Sequence, residues 1–541
     1  MKAKFLKTNW LIGFQSFSLT FLLLAGLLPA LEYSPQHAFR NYKISGEMPA
    51  FGDVVLEPTL KVSPDERYVV YAADAVTDGM NELYSVLLDG SGAPVRIAET
   101  TPPGGDILQF EITPDSAQVI FITLHDGARQ LFSVPITGGV EKKLSGEFGA
   151  QGGVSSFKIS SDGNWAVYFA DQEEYGRLEL YSVNLGDGTV QKLNGSLVNK
   201  GDVWDYEISA DSQWVVYRAD QDLDNVFEVY SVSIGGGNAV KLNSPLGLSR
   251  AVENFLITPD SQWVIYTADQ EVDNRVELFR APLEGGEVIK LNGALVAGGS
   301  GVSFAISPNG QWVVYSADAE VAGKNELYGV PVTGGIATKL NHPLSAGGLV
   351  SVYRISPDSA RVVYRANQAT DSQHELFSVP LAGTGEVVKL NAPMDDELDV
   401  FDFEISQDGV WVVFKTEVFG LGSYEIFSVP TDGGSVKKLN PPIVTEGQVW
   451  KQAISFNSHY VVFMATQESS DKMELFFVLT NGTGYKKING EFPANADIFS
   501  FQIATKYGIR VLYRADQNVD DMTELFVAEF KETFYFPISQ R

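Results

Sequence analysis

One short pattern recurs through nearly the whole chain and limits what it can fold into. A glutamate, an apolar residue and then Tyr or Phe appear at Glu82, Gln130, Glu179, Glu228, Glu277, Glu326, Glu375, Glu425, Glu474 and Glu524. Successive steps are 48 to 50 residues, and only the second anchor departs from glutamate. Fourteen positions upstream stands an aromatic in seven copies: Tyr68, Trp165, Trp214, Trp263, Trp312, Trp411 and Tyr460. A period of this length identifies an array of identical supersecondary units, each burying its apolar faces against its neighbours.

The copy at residues 203–243 shows what the unit is. VWDYEIS alternates apolar and polar residues and ends at the turn ADS; WVVYRA is β-branched and aromatic and runs into the acidic loop DQDLDN. FEVYSVSI closes at GGG, and AVKLN completes the unit. Four β-runs of about six residues, separated by Gly, Asp, Asn and Pro turns and lacking helical periodicity, predict a four-stranded sheet. Such sheets at a period of 40–50 residues predict propeller blades. The fold class expected is therefore all-β, a β-propeller of about ten four-stranded blades. A basic residue 13 or 14 positions after the anchor (Arg96, Lys143, Lys192, Lys241, Lys290, Lys339, Lys389, Lys438, Lys487) marks the fourth run as the outer edge, where lysine discourages edge-to-edge aggregation.

Uniform spacing with no Pro/Ser-rich linker favours one ring of ten blades. Two tandem propellers are the alternative, and an open arc would leave apolar blade faces exposed. The expected organisation is residues 1–30 as a signal peptide or N-terminal membrane anchor, 31–53 as a short lead-in and 54–541 as the propeller. The tail KETFYFPISQR lacks the lysine pattern and carries Phe534, Tyr535 and Phe536, so it is expected to pack against the first blade or the segment before it.

Charge and composition narrow the partners. With 39 Lys+Arg against 68 Asp+Glu, the net charge of −29 repels phosphate backbones, so nucleic acid is excluded as a partner. A 44% hydrophobic content is too high for a disordered acidic chain. The absence of cysteine excludes disulfides and thiolate chemistry. MKAKFLKTNW, with Lys2, Lys4 and Lys7, precedes the apolar run LIGFQSFSLTFLLLAGLLPAL and a small residue at Ala30. This order fits an export signal, or an anchor if uncleaved, and either way the propeller lies outside the cytoplasm, periplasmic, extracellular or tethered. Membrane contact is expected only through that segment.

The turns TPDSAQ, SSDGNW, SADSQW, TPDSQW, SPNGQW, SPDSAR and SQDGVW resemble the WD40-like (PD40) repeats of TolB-type bacterial β-propellers, and the YxAD…ELYSVP…GGxxxKLN pattern resembles repeats of exported bacterial proteins. The resemblance covers roughly residues 54–541 and implies a propeller. TolB itself carries an α/β domain before its propeller and binds an envelope lipoprotein; about 20 residues between signal and first blade are too few for that domain. Prolyl oligopeptidases pair a propeller with a hydrolase domain, and no G-x-S-x-G elbow occurs here.

Candidate chemistry is sparse. His37, His125, His342, His374 and His459 occupy different repeat positions without zinc-site spacing. No catalytic residue and no cofactor are assigned. The acidic loops are the candidates for a metal, calcium, because hard cations need converging oxygen ligands: Asp220, Asp222 and Asp224 in one copy and Asp269, Glu271 and Asp273 in the next. They lack the glycine and terminal glutamate of an EF-hand loop, and Asp and Asn also build turns through their own side chains, which is the favoured role. The anchor glutamate is expected to bond a repeated partner such as a backbone amide or turn. Trp165, Trp214, Trp263, Trp312 and Trp411 are expected in the core between blades, with a sugar-binding platform as the alternative.

The function expected is a non-enzymatic protein- or glycan-binding scaffold of the envelope or extracellular space. Specificity is placed in loops that differ between copies, taken as those after the first and third runs and exemplified by LNGSLVNKGD, LNSPLGLSRA and LNAPMDDELD. The alternative is a lyase or hydrolase with its site at the channel mouth. Departures from the repeat would mark such a site, and Arg361, Arg510, Gln118 and Thr466 are scattered.

Overall fold

The computed structural model describes residues 39–530 apart from 49–51, 56–59, 77–78, 99–105, 126, 149–151, 298, 300–302, 392–398, 419–422, 494–495, 507 and 519–521. The chain divides into residues 1–37 and the unit Ala38–Arg541. The basic and apolar N-terminal segment, His37 and the tail aromatics lie outside the described residues. No helix among the described residues is long and apolar enough to cross a membrane.

Ala38–Arg541 is a single ring of ten four-stranded antiparallel sheets, numbered here as blades 1–10 from the anchor at Glu82 to that at Glu524. Blade 4 is typical: Val203–Ile208, Trp214–Ala219, Glu228–Ser233 and Val240–Lys241 pair in that order. The second and third strands are the hydrophobic runs, and register puts one aromatic of each opposite the other. Tyr217 faces Tyr230, with ring centroids 5.4 Å apart. Every blade repeats this cross-strand pair, at 5.4–5.8 Å. Offset stacking of this kind adds to the stability of a hairpin beyond area burial.

Nine blades are built from consecutive strands. In blade 10 the fourth place is taken by Arg40–Lys43, which comes from the stretch read as a lead-in and pairs with Glu524–Phe530. The ring is thus closed by its two ends in one sheet. Apolar clusters confirm closure, because one fills each junction between neighbouring blades, including the junction of blade 10 with blade 1, where Leu512, Leu525 and Val527 meet Val69, Tyr71 and Val86. Ten clusters at ten junctions exclude two tandem propellers.

The anchor glutamate has a different partner from the one expected. In nine blades it forms an ion pair with the fourth-strand basic residue, as in Lys241–Glu228 (2.6 Å), Arg96–Glu82 (2.7 Å) and Lys389–Glu375 (2.5 Å), with Lys43 serving Glu524 in blade 10. In blades 1, 3, 4 and 6 the tyrosine two residues on donates its hydroxyl to the same carboxylate. The edge lysines therefore have a second role, tying the short fourth strand to the third. Blade 2 is the exception: Gln130 donates to the His125 carbonyl, and Lys143 pairs with the exposed Glu147.

A second device joins blades at the turn between first and second strands. Ser116, Ser212, Ser261, Ser359 and Ser458 adopt φ between 56° and 64°, a left-handed conformation costly for a residue with a Cβ. Each hydroxyl accepts the backbone N–H of the turn residue in the preceding blade, as Asp211 donates to Ser261 at 3.1 Å. Glu66 does the same between blades 10 and 1, accepting from the Lys506 amide at 2.6 Å. In blades 3, 6, 8 and 10 the position is Gly163, Gly310, Gly409 and Gly508.

Candidate functional site

The first strands of neighbouring blades lie side by side around the inside of the ring. Antiparallel pairing places three features on one face: the start of each first strand, the acidic loop between second and third strands, and the connection from the preceding blade. The stretches LNGSLVNKGD and LNSPLGLSRA are such connections; they follow fourth strands, not first or third ones, and residues 392–398 of LNAPMDDELD lie outside the described set.

At this face the first strand carries, among the described residues, a β-bulge in eight blades, where pairing skips one residue between its first and third positions. A bulge re-aims the extra side chain. The bulged residues are Leu108, Ser155, Trp204, Glu253, Ser351, Phe401, Trp450 and Phe499, and all eight are exposed. Three consecutive blades, 8 to 10, contribute the aromatics Phe401 (52% exposed), Trp450 (55%) and Phe499 (46%). Trp204 of blade 4 stands apart, edge-on to Phe227 with centroids 5.5 Å apart.

Lys415 organises the blade 8 end of this arc. Its ammonium lies 5.1 Å from the Phe401 ring centroid and 5.2 Å from that of Tyr424, the two rings being 4.9 Å apart, and it donates to the Trp450 carbonyl at 3.3 Å. Burial pulls the Lys415 ammonium below its ordinary range, against the opposing effect of Asp402 and Glu404. The same strand position carries Arg218, Arg365 and Arg514 in other blades, each reaching a main-chain carbonyl of the next blade: Arg218 to Val252 and Arg365 to Val400 at the bulge, and Arg514 to Val54 across the ring closure. The rim is therefore held by cross-blade hydrogen bonds, so its side chains project from a fixed frame. Among the described residues, grooves open between first strands, of ≈ 590 Å³ at blades 2 and 3, ≈ 440 Å³ at blades 9, 10 and 1, and ≈ 190 Å³ at blades 7 and 8.

The six candidate calcium ligands are not gathered on one point. Asp220 is buried and accepts backbone amides with both oxygens, from Asp202 at 2.6 Å and Asn225 at 2.9 Å. Asp269 does likewise with Ala251 and Asn274. Asp222 and Glu271 instead pair with Lys241 and Lys290, the partners of the anchor glutamates, while Asp224 and Asp273 are exposed. Alternate positions thus face alternate directions: one carboxylate builds the turn and the next binds a lysine. Among the described residues no group of three or more His, Asp or Glu is arranged to hold a metal ion.

Four of the five strand-start tryptophans, all but Trp411, are placed at the junctions. Trp165, Trp214, Trp263 and Trp312 pack against the apolar cluster shared with the following blade, and Arg280 stacks 3.9 Å over Trp263. The exposed aromatics that could bind a ligand are a different set, at the bulge. Sequence reading passed over them because they sit in the first run, where polar and apolar residues alternate regardless of function. Their signal was the second position of that run, which reads Leu, Ser, Trp, Glu, Ser, Phe, Trp and Phe after a first position that is always Val or Ile.

No protein-family model matches this sequence, and no curated protein matches it. Among solved structures the chain is similar to a eukaryotic initiation factor at 12% identity and a TM-score of 0.48, covering 76% of this chain and 94% of that one. It is similar to a prolyl endopeptidase at 11% identity and TM-score 0.38 (67% and 55% covered), and to a putative TolB from Agrobacterium tumefaciens at 16% identity and TM-score 0.26 (46% and 83%). Likeness this distant says nothing of what the chain binds or does.

Proposed function

We propose that the protein is a non-enzymatic binding module, exported from the cytoplasm, that engages its partner with the bulge rim of blades 8–10. One observation carries the reading. The same bulged backbone is built with Ser155 and Ser351 in other blades, so the scaffold has no need of Phe401, Trp450 or Phe499 at this position. Three large apolar side chains left exposed on consecutive blades, at a cost to solubility, are explained by a partner that covers them. Their frame is pre-ordered, which lowers the entropy lost on binding. Export rests on the basic and apolar N-terminal segment alone.

The test is retention of partners from envelope and culture-medium fractions on immobilised protein. Wild type is expected to retain a saturable partner that the F401S/W450S/F499S variant loses while unfolding at an unchanged temperature. Equal retention by both would sink the rim reading. N-terminal sequencing of protein from each cell fraction tests export.

A further inference from the structure

We propose that the ligand of this rim is an uncharged glycan whose sugar rings stack on Phe401, Trp450 and Phe499; this rests on the rim reading above. Three observations separate a glycan from other ligands.

The first is charge. A net charge of −29 works against anionic polymers, including single-stranded nucleic acid, whose bases would otherwise suit an aromatic platform. A cationic peptide would gain from the overall field, yet it would meet Lys415, lodged between Phe401 and Tyr424, and Lys451, 5.2 Å from the Phe501 ring. The nearby carboxylate of Asp402 is already engaged by Arg354 at 3.3 Å. The overall field thus opposes an anionic ligand and the rim lysines oppose a cationic one, which leaves a neutral ligand.

The second is the grain of the surface. A protein-binding core is continuous, apolar and depleted of charge. Here each ring is followed directly by a polar side chain that is at least partly exposed: Phe401 by Asp402, Trp450 by Lys451 and Phe499 by Ser500. A pyranose has the matching pattern, with apolar C–H faces that lie on an aromatic ring and equatorial hydroxyls that need donors and acceptors at the ring edge. Lys415, Lys451 and Ser500 supply donors, and Asp402 and Ser500 supply acceptors.

The third is repetition. One aromatic per blade on three successive blades offers successive stacking positions, as an oligosaccharide offers successive equivalent rings. A small apolar molecule would need an enclosed pocket, whereas the rim is open.

The experiment titrates the full chain with the neutral hexasaccharides cellohexaose, laminarihexaose, maltohexaose and chitohexaose, read by tryptophan fluorescence and calorimetry. At least one is expected to bind and to change the emission of the exposed Trp450. Loss of one stacking ring in F401A or W450A is expected to weaken it about tenfold or more, by analogy with aromatic truncation in other stacking sites. W204A, on blade 4, is expected to bind like wild type. If none of the four produces heat or a spectral change at millimolar concentration, the glycan inference is overturned, while loss of a protein partner in F401S/W450S/F499S would leave the rim reading standing. If a hexasaccharide binds wild type and both single variants equally, the rim reading falls with it.

Discussion

Lys43 forms an ion pair with Glu524, 481 residues further along the chain, and in doing so reproduces inside blade 10 the contact that Lys241 makes with Glu228 inside blade 4. Ser45 completes the likeness by accepting the Leu525 amide at 3.0 Å, as Asn243 accepts that of Val229. The N-terminal strand is a fourth strand in every respect except its place in the chain.

Removing that ammonium should therefore weaken ring closure. Glu524 is nearly fully buried, and in K43M the Asn518 amide would be its one remaining side-chain partner among the described residues. A buried carboxylate left without its cation is strongly destabilising, and with Lys43 partly solvated the expected cost is about 2 kcal/mol. Urea unfolding should show a lower midpoint for K43M and substantial recovery in K43M/E524Q. A K43M effect no larger than that of an exposed lysine variant would contradict this role.

Stability should fail at high pH. Burial lowers the ammonium pKa of Lys241, but Asp222 and Glu228 outweigh it and leave the value raised; Lys192, Lys290, Lys339 and Lys487 are held likewise, each by two carboxylates. A raised folded-state pKa adds stability that is complete below the unfolded value of 10.5 and is lost as pH climbs through the folded value. Buried tyrosines such as Tyr217 and Tyr266, raised by desolvation, act in the same direction. Melting temperature should be level from neutrality to about pH 9.5 and fall steeply beyond about 10.5. A level profile through pH 11.5 would be inconsistent with these ion pairs.

The left-handed serines predict an unusual ranking of substitutions. Ser261→Ala keeps the unfavourable φ and loses the bond from Asp211, at an expected cost of about 1–2 kcal/mol. Ser261→Gly loses the same bond but removes the backbone penalty, so it should lie within about 1 kcal/mol of wild type. Denaturation midpoints in the order wild type, Gly, Ala would support the latch; Gly falling below Ala would refute it.

Tryptophans should separate into two classes. Trp263 packs at the junction of blades 5 and 6 beneath Arg280, and its truncation to alanine should cost about 3 kcal/mol. Trp450 is exposed at the bulge, and W450A should change stability by no more than about 0.5 kcal/mol. Comparable losses from both would mean that the rim aromatics serve the fold.

Repeat phase, strand order and blade number were legible because hydrophobic periodicity and turn residues act locally and were sampled ten times. The Glu–Lys pair was half legible: the 13-residue spacing was visible, but two groups that far apart in sequence become neighbours only through hairpin register, which sets Tyr230 opposite Lys241 and Glu228 beside it. Ring closure was written in the chain too. Lys43-Ile44-Ser45-Gly46-Glu47-Met48 closely repeats Lys143-Leu144-Ser145-Gly146-Glu147-Phe148 of blade 2. It went unread because a solitary fourth strand, severed from its other three, has no period. The bulge rim was hidden for another reason: a skipped residue in a ladder leaves little trace in the pattern of one strand.

The serine latch also fixes how the ring can deform. Glycine replaces it at the junctions of blades 2 and 3, 5 and 6, 7 and 8, and 9 and 10, dividing the circle into four latched arcs joined at four seams that lack the latch. Each of the three grooves opens at one of these seams. Trp450 and Phe499 stand on opposite banks of the seam between blades 9 and 10, so a chain molecule lying across both would act as a splint, slowing amide exchange far from its own contacts.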